Sequence, residues 1–301
     1  MKAGRILLAG ASGFVGERLR EHFGRTRRDF ARLVRTAPRS KNEFYWNPAH
    51  GIFDRKALEG VGAVICLSGA TVFGRWTEAK KREIFESRVP TVRFLAGMVA
   101  RSGTPPEVFL SVSAVGYYGT GAAGYLDETA PAGSGFLADI CSQWEEPAAA
   151  LKENGVRVVF PRLGTVLGRE GGVLKKLVPL FRMGLGGKLG CGSQPFPWIA
   201  AADVAPAFEL MMKEKLIEGP VNTVSPSNAT NSDFTDALAR ALGRKAVLGV
   251  PAFALRAVFG GMADELLLGG AKIVPSKLLA AGFRFRHADL ESVLSEEIRV
   301  S

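Results

Sequence analysis

A glycine-rich turn near the start of the chain constrains the fold more than any other feature. The apolar run RILLA leads directly into Gly10-Ala11-Ser12-Gly13-Phe14-Val15-Gly16, and an amphipathic helical pattern follows. In such a strand–turn–helix unit, the first glycine makes the tight turn, the second lets the backbone approach a pyrophosphate, and the third lets helix and strand pack closely. The free N–H groups of the helix start favour an anion. The pattern predicts that residues 10–16 hold a dinucleotide pyrophosphate; a glycine turn without a ligand is the alternative.

Strand-like and helical segments alternate through the first half of the chain. After RILLA, the apolar runs FARLV, AVICLSG, VFLSVSAVG and VRVVFPRLG are separated by segments of helical length; the longest covers residues 77–101, with Pro90 as a point of kinking or breakage. Such alternation predicts an α/β fold with right-handed crossovers. We expect a Rossmann-type doubly wound parallel sheet over residues 1–168 and a smaller C-terminal α/β lobe for the substrate over residues 169–301. The lobe ends in a helical module at about residues 250–298, and strands such as PVNTVS are candidates to return to the main sheet.

The residues that follow the second strand indicate which dinucleotide binds. A site for NAD places Asp or Glu at the end of this strand to bind the ribose 2′-hydroxyl, whereas a 2′-phosphate requires a cation there. The strand FARLV ends in Val34 and Arg35, with Arg39 and Lys41 close behind and no acidic residue at that end. The sequence therefore favours NADP over NAD. A solvated loop charge is the alternative interpretation of Arg35.

Net charge and cysteine content indicate which ligands and which cellular compartment to expect. A formal charge of +10 raises the question of nucleic-acid binding. The basic residues are dispersed, however, and no basic motif interleaved with aromatic residues occurs, so a positive field that attracts phosphorylated ligands is the simpler interpretation. Three cysteines without CxxC spacing, and no apolar stretch long enough for a membrane span, favour a cytoplasmic chain without a metal site or signal peptide. We expect a small-molecule substrate and neither a nucleic-acid nor a membrane partner.

Several longer segments resemble one family. The spacing GxxGxxG is similar to that of short-chain dehydrogenases/reductases, and further segments are GRWTEAKKREIFESR from Gly74, SVSAVGYYG from Ser111, FLADICSQWE from Phe136, FRMGLGGKLGCGSQPFPWI from Phe181 and VPAFALRAVFG from Val250. Together they resemble the YfcH-like proteins of the epimerase family, an atypical branch of the extended short-chain dehydrogenases/reductases with its own C-terminal helical module. The resemblance covers nearly the whole chain. It implies an NADP(H)-binding Rossmann domain and a relationship to nucleotide-sugar epimerases and reductases.

The resemblance also implies cofactor contacts beyond the glycine loop. On the matching positions, these contacts are Val34 and Arg35 at the adenine-ribose phosphate, Leu67, Ser68 and Gly69 after the run AVIC, Glu83 and Arg88 on the long helical segment, and Leu137 near the nicotinamide. A solvated helix face is the alternative interpretation of Glu83 and Arg88.

The catalytic pair of the superfamily is absent. Ordinary members use a tyrosine four residues before a lysine, because one helical turn puts both on one face and the ammonium group lowers the pKa of the phenol. No tyrosine of this chain has a lysine four residues on, and the helical segment FLADICSQWE has Leu137 and Cys141 at the matching positions. Proton transfer therefore requires a different group.

Ser113, Tyr117 and Tyr118 are the candidates for that chemistry. Ser113 matches a hydroxyl that holds the substrate carbonyl in extended members, and the tyrosines follow it at the carboxyl edge of the sheet, where such folds bind ligands. A tyrosine there is able to donate a proton; aromatic packing or substrate stacking is the alternative. Arg162 is a candidate to meet a substrate anion, and Asp203 is expected to cap a helix.

Two functions remain open on these grounds. The first is an NADP(H)-dependent oxidoreductase or epimerase that transfers a hydride on a small or sugar-nucleotide-like carbonyl or alcohol. The second is a regulatory or scaffold protein that binds NADPH without efficient catalysis. The missing Tyr/Lys pair favours the second function. Ser113, the paired tyrosines and a glycine-rich lid candidate at residues 184–192 favour the first, which we prefer.

Overall fold

The computed structural model describes residues 4–299. Its strands are β1 (Arg5–Ala9), β2 (Phe30–Val34), β3 (Glu43–Asn47), β4 (Ile52–Phe53), β5 (Val61–Cys66), β6 (Val108–Ser111), β7 (Ser113–Ala114), β8 (Tyr125–Leu126), β9 (Arg157–Leu163), β10 (Thr165–Leu167), β11 (Trp198–Ala200), β12 (Gly219–Thr223) and β13 (Lys272–Ile273). Its α-helices are α1 (Phe14–Arg25), α2 (Glu78–Glu86), α3 (Val89–Ala100), α4 (Phe136–Ala149), α5 (Gly172–Arg182), α6 (Ala201–Lys213), α7 (Asn231–Ala241), α8 (Ala252–Phe259), α9 (Ser276–Ala280) and α10 (Leu290–Arg299).

The main sheet has the strand order β12-β9-β6-β5-β1-β2-β3-β4. All of its neighbours pair in parallel except the edge strand β4, and β7 adds to β9. The central strands are continuous apolar runs because helices cover both of their faces. Helices α1 and α6 pack over one face, and α3 and α4 pack over the other. The predicted doubly wound, Rossmann-type sheet is confirmed.

The helical segment expected over residues 77–101 is divided into α2 and α3. The break falls at Ser87 and Arg88, and Pro90 lies in the first turn of α3. Proline is tolerated at that position because the N–H group it lacks would have no helical partner there. The division turns Arg88 inward, where its side chain becomes part of the site described below.

The second half of the chain forms a lobe with its own core. Trp198, Phe234 and Leu294 are buried there, and α7 packs against α10. Strand β12 nevertheless lies in the main sheet beside β9, and β13 pairs with β8. A π-helical turn, Ala263–Leu267, lies between α8 and β13 and faces α4 across the cleft. Between residues 4 and 299, no helix is both long enough and apolar enough to cross a membrane.

Asp203 is not the helix cap that the sequence suggested. Helix α6 begins one turn earlier, with Ala200 at the cap position, and Asp203 lies in the first turn. The residue is 1% exposed, and its carboxylate accepts the backbone N–H groups of Arg286 (2.7 Å) and His287 (3.2 Å). Asp203 therefore ties the C-terminal segment to the lobe, and burial raises its pKa.

Candidate functional site

The glycine loop between β1 and α1 has the geometry of an anion cradle. Gly10 has φ +80°, and a Cβ there would lie 2.9 Å from the backbone nitrogen of Ser68. A Cβ on Gly16 would lie 2.6 Å from the carbonyl oxygen of Gly10, so this residue lets α1 approach the strand. Gly13 is different, since a Cβ would meet nothing closer than Gly10 O at 3.6 Å. It caps α1 without a side-chain hydrogen bond, so the first amides of the helix are available to an anion.

The remaining residues of the loop hold it in place. Phe14 turns its ring away from the cradle, onto the turn between β10 and α5, where a Cβ on Gly171 would lie 2.3 Å from the ring. Val15 packs against the main core, and Ala11 is buried. Phe14 thus couples the glycine loop to the second lobe.

A cavity of about 630 Å³, here termed the loop cavity, opens beside the glycine loop. It is lined by the loop, the end of β2, β3 and the segment after β5, namely residues 10–13, 32–36, 39, 43, 46, 67–70 and 87. Val34, Arg35, Leu67, Ser68 and Gly69 all belong to this lining. The sequence-predicted positions around the loop therefore lie along one surface.

The end of the loop cavity beside β2 and β3, where a dinucleotide ribose would lie, is positively charged. Arg32, Arg35 and Arg39 line it with a single carboxylate, Glu43. Glu43 accepts the backbone N–H of Arg39 at 2.6 Å and pairs with the Arg32 side chain, and these contacts lower its pKa. Among residues 4–299, no carboxylate forms an ion pair with the exposed Arg35. Sequence reasoning missed Glu43, which reaches the cavity from a neighbouring strand.

The segment after β5 leads from the loop cavity to a second one. Arg88 binds this segment. Its guanidinium donates to the carbonyl oxygen of Ala70 at 2.9 Å. It also packs against Gly69, where an added Cβ would lie 3.0 Å from the guanidinium carbon. It also donates to the carbonyl oxygen of Ile84 and stacks over the ring of Trp144, and burial lowers its pKa. Glu83, by contrast, is exposed, pairs with Lys80 and lines neither cavity.

The second cavity, about 290 Å³ and here termed the interlobe cavity, lies between α4 and the C-terminal module. Its lining is contributed by Val72, Arg88, residues 114–116 and 119, Leu137, Ile140, Cys141, Trp144, residues 163–165 and 195–197, Glu265, Leu266, residues 269–271 and Ile273. The surface is mostly apolar. Leu137 and Cys141, which match the tyrosine and lysine of ordinary relatives, both face it.

One carboxylate links the two walls of this cavity. Glu265, on the π-helical turn, accepts the N–H groups of Phe136 (3.0 Å) and Leu137 (2.8 Å) at the start of α4. The cap residue of α4, Gly135, has φ +107°, and a Cβ on it would lie 2.9 Å from the Glu265 carboxyl carbon. Sequence reasoning missed Glu265 because 128 residues separate it from Leu137.

Tyr118 and Arg162 belong to a buried network rather than to a cavity wall. The Tyr118 hydroxyl donates to Asn222 Oδ1 at 2.7 Å and accepts from Arg162 Nη1 at 3.0 Å. Burial raises the pKa of Tyr118. Arg162 also makes two 2.9 Å bonds to the Glu145 carboxylate, which hold its pKa high despite burial. The Arg162 guanidinium is thus paired with Glu145 inside the protein, and the Tyr118 hydroxyl is bonded to both Asn222 and Arg162.

The other two catalytic candidates also lie beside the interlobe cavity and not on its wall. The Tyr117 ring stacks on the Arg162 guanidinium at 3.3 Å. Ser113 is buried on β7, and its hydroxyl faces the Cys141 thiol but has no partner in hydrogen-bonding geometry among the described residues. The Trp144 indole N–H, on the cavity wall, is likewise buried without a partner. Burial raises the pKa of Cys141 to about 11, so this thiol stays protonated near neutral pH.

Comparisons with known proteins agree with this architecture. Residues 6–223 match the family described as "NAD dependent epimerase/dehydratase family", and residues 250–297 match a domain of unknown function, DUF1731. An epimerase family protein of Mycobacterium bovis is 39% identical over 96% of both chains. The human epimerase family protein SDR39U1 is 33% identical over 97% of this chain and 99% of its own.

The structural likeness is equally extensive. The crystal structure of human SDR39U1 with NADPH has a TM-score of 0.90 and 31% identity, covering 98% of this chain and 99% of the human one. The family match covers more than half of the chain, and relatives above 30% identity match along nearly all of it. The chain therefore belongs to the NAD dependent epimerase/dehydratase family, with a C-terminal DUF1731 domain.

Proposed function

We propose that this protein is an NADP(H)-dependent oxidoreductase that transfers a hydride on a small carbonyl compound or alcohol. The observation that carries the proposal is the pair of adjacent cavities along the segment after β5, one beside an anion cradle and the other between the lobes. A dinucleotide has the same layout, with phosphates in its middle and a reactive ring at one end. The relative crystallised with NADPH supports this choice.

The preference for NADP rests on charge. Three guanidinium groups and one carboxylate, itself paired, line the ribose end of the loop cavity. An additional phosphate is favoured there, and a 2′-hydroxyl would leave the excess positive charge uncompensated. Arg35 is the guanidinium that holds the 2′-phosphate in this proposal, because it follows β2 directly and has no carboxylate partner among the described residues.

The interlobe cavity favours a small and uncharged reacting group. Of the residues that line it, Arg88 is the one cation, and its guanidinium is already bonded to backbone oxygens. A diphosphate would find no free cation on this wall. The bound nicotinamide would supply the hydride, and the apolar wall would exclude water from the reacting atoms. We therefore place aldehydes, ketones and alcohols ahead of nucleotide sugars as substrates.

A regulatory protein that binds NADPH without efficient catalysis is the second candidate. Leu137 and Cys141 on the cavity wall favour it, because neither is able to replace a tyrosine and lysine pair at neutral pH. In that case the same cofactor site would act as a sensor of the NADPH concentration.

Turnover separates the two candidates. NADPH oxidation is followed by absorbance with a panel of aldehydes, ketones, quinones and nucleotide sugars, and the Gly13→Ala variant, expected to lose the cofactor, serves as the control. Turnover of a small carbonyl compound that is lost in the control supports the oxidoreductase. Tight NADPH binding without turnover of any compound supports the regulatory protein instead.

A further inference from the structure

The chain lacks the tyrosine hydroxyl that would donate a proton in ordinary relatives, and one residue on the wall of the interlobe cavity is able to donate it instead. Reduction of a carbonyl compound requires a proton as well as a hydride. Among the described residues that line the interlobe cavity, Glu265 is the one carboxyl group. Burial raises the pKa of Cys141 to about 11, so this thiol is a weak acid that does not cycle between its protonated and deprotonated forms near neutral pH, and an arginine such as Arg88 does not exchange its proton in proteins.

The carboxyl group of Glu265 lies against the first turn of α4, at the edge of the interlobe cavity. Its oxygen Oε2 is 2.8 Å from the backbone nitrogen of Leu137, the position that matches the tyrosine of ordinary relatives. The carboxyl group therefore reaches the start of α4 from the opposite wall of the same cavity. Each of its two oxygens accepts one amide, and each keeps a lone pair for a proton.

The contacts fix the carboxyl group in one orientation. Two backbone amides bind it, and α4 has no side-chain cap of its own. The surrounding π-helical turn is a form that occurs frequently at functional sites.

We propose that Glu265 is the catalytic acid and base of this protein, supplied by the DUF1731 domain in place of the tyrosine and lysine pair. The proposal rests on the proposed hydride-transfer function. In reduction, the hydride carries two electrons to the carbonyl carbon, the C=O π bond opens, and Glu265 donates its proton to the oxygen. Carbonyl compound, NADPH and one proton become alcohol and NADP⁺. In oxidation, the Glu265 carboxylate takes the hydroxyl proton as the hydride leaves.

Other ionisable side chains lie near Glu265. Arg88 and Cys141 share its cavity, Asp139 lies in the first turn of α4, Lys81 approaches the Phe136 ring, and the adjacent Asp264 is paired with Arg256. Among these groups, Asp139 and Asp264 are the other carboxyls, and neither lines the cavity. Substitution of Glu265 therefore isolates its contribution to the pH dependence.

A matched control exists in the same chain. Glu128 is also a carboxylate that accepts two backbone amides, from Asn222 (3.0 Å) and Lys277 (3.2 Å), and it also ties the C-terminal module to the main body. It lines neither cavity. A purely structural role for Glu265 would make Glu265→Gln and Glu128→Gln behave alike.

The test compares Glu265→Gln, Glu265→Asp and Glu128→Gln with the intact protein. The NADPH dissociation constant from cofactor fluorescence, the melting temperature and the pH profile of 4-nitrobenzaldehyde reduction are measured for each. Glu265→Gln is expected to bind NADPH normally, to lose about a hundredfold or more in kcat with little change in KM, and to change the pH profile of the rate. Glu265→Asp should recover part of the rate, whereas Glu128→Gln should lower the melting temperature and keep the pH profile.

Two results overturn the proposal, and they are distinguishable. If Glu265→Gln keeps the rate and pH profile of the intact protein, or loses them only in proportion to its melting temperature as Glu128→Gln does, Glu265 is structural and the oxidoreductase proposal stands. If the intact protein binds NADPH but reduces neither 4-nitrobenzaldehyde nor any compound of the wider panel, the oxidoreductase proposal fails and the role of Glu265 fails with it.

Discussion

Replacing Gly13 by alanine should separate cofactor binding from folding. Gly13 has φ −79°, which any residue adopts, and the nearest atom to an added Cβ is Gly10 O at 3.6 Å. The substitution therefore fits the folded chain. It should leave the free energy of unfolding unchanged or raise it by up to about 1 kcal/mol, because alanine restricts the unfolded state. The added methyl group would nevertheless occupy the cradle where the pyrophosphate is proposed to lie.

The expected loss of NADPH affinity follows from the hydrogen bonds between the helix amides and the pyrophosphate that the added methyl group would block. A hydrogen bond to a charged group contributes about 1.5–3 kcal/mol, so losing two of them weakens binding by at least about 3 kcal/mol, or about a hundredfold. Isothermal titration calorimetry with NADPH measures the loss, and urea denaturation checks the stability. Gly16→Ala is the contrasting variant: its Cβ would lie 2.6 Å from Gly10 O, so stability should fall by about 1–3 kcal/mol. Unchanged NADPH affinity in Gly13→Ala would refute the cradle.

Three further predictions concern other parts of the structure. Arg35→Ala should weaken NADPH by about tenfold or more and NADH by less than about twofold in competition titrations, because one charge-assisted bond to the 2′-phosphate is lost; equal losses would argue for a solvated loop charge. Glu145→Ala should lower the free energy of unfolding by about 3–5 kcal/mol in urea, since Arg162 would stay buried without its carboxylate; a loss below about 1 kcal/mol would contradict the network. The stability of the intact protein relative to Asp203→Asn should be greatest in acid and fall as pH rises through the raised pKa of Asp203, since the unfolded carboxyl ionises first; a difference independent of pH would show that burial does not penalise this charge.

The parts of the site that the sequence predicts are those built from neighbouring residues. The glycine loop and Arg35 lie within one strand–turn–helix–strand unit, so spacing along the chain nearly determines their positions in space. The same holds for Leu67 and Ser68, because parallel strands that end at one edge of a sheet place their following residues together. Local patterns are therefore sufficient to identify the residues of the loop cavity that follow β1, β2 and β5.

The interlobe cavity depends on tertiary contacts that no local pattern contains. Glu265 reaches α4 from a distant module, and Asp203 binds the amides of Arg286 and His287 instead of capping its own helix. Tyr118 stands on a loop expected to face substrate, but Arg162 and Asn222 bind its hydroxyl inside the protein. In each case, the side chain type indicated a hydrogen-bonding role, and the fold decided the partner.

The strand beside which β12 pairs is a backbone feature that local sequence patterns do not determine. Apolar alternation indicates where the strands lie, and β12 is one of the segments that this pattern identifies. Its place beside β9 in the main sheet is decided by the path of the chain through the second lobe. A sequence boundary at residue 168 therefore divides the chain but not the sheet.

A crystal structure of the protein with NADPH would show directly where the cofactor lies. The pyrophosphate is expected on the amides at the start of α1, the 2′-phosphate beside Arg35, and the nicotinamide in the interlobe cavity beside Leu137. A nicotinamide that points away from the interlobe cavity, or phosphates bound away from the glycine loop, would contradict this placement.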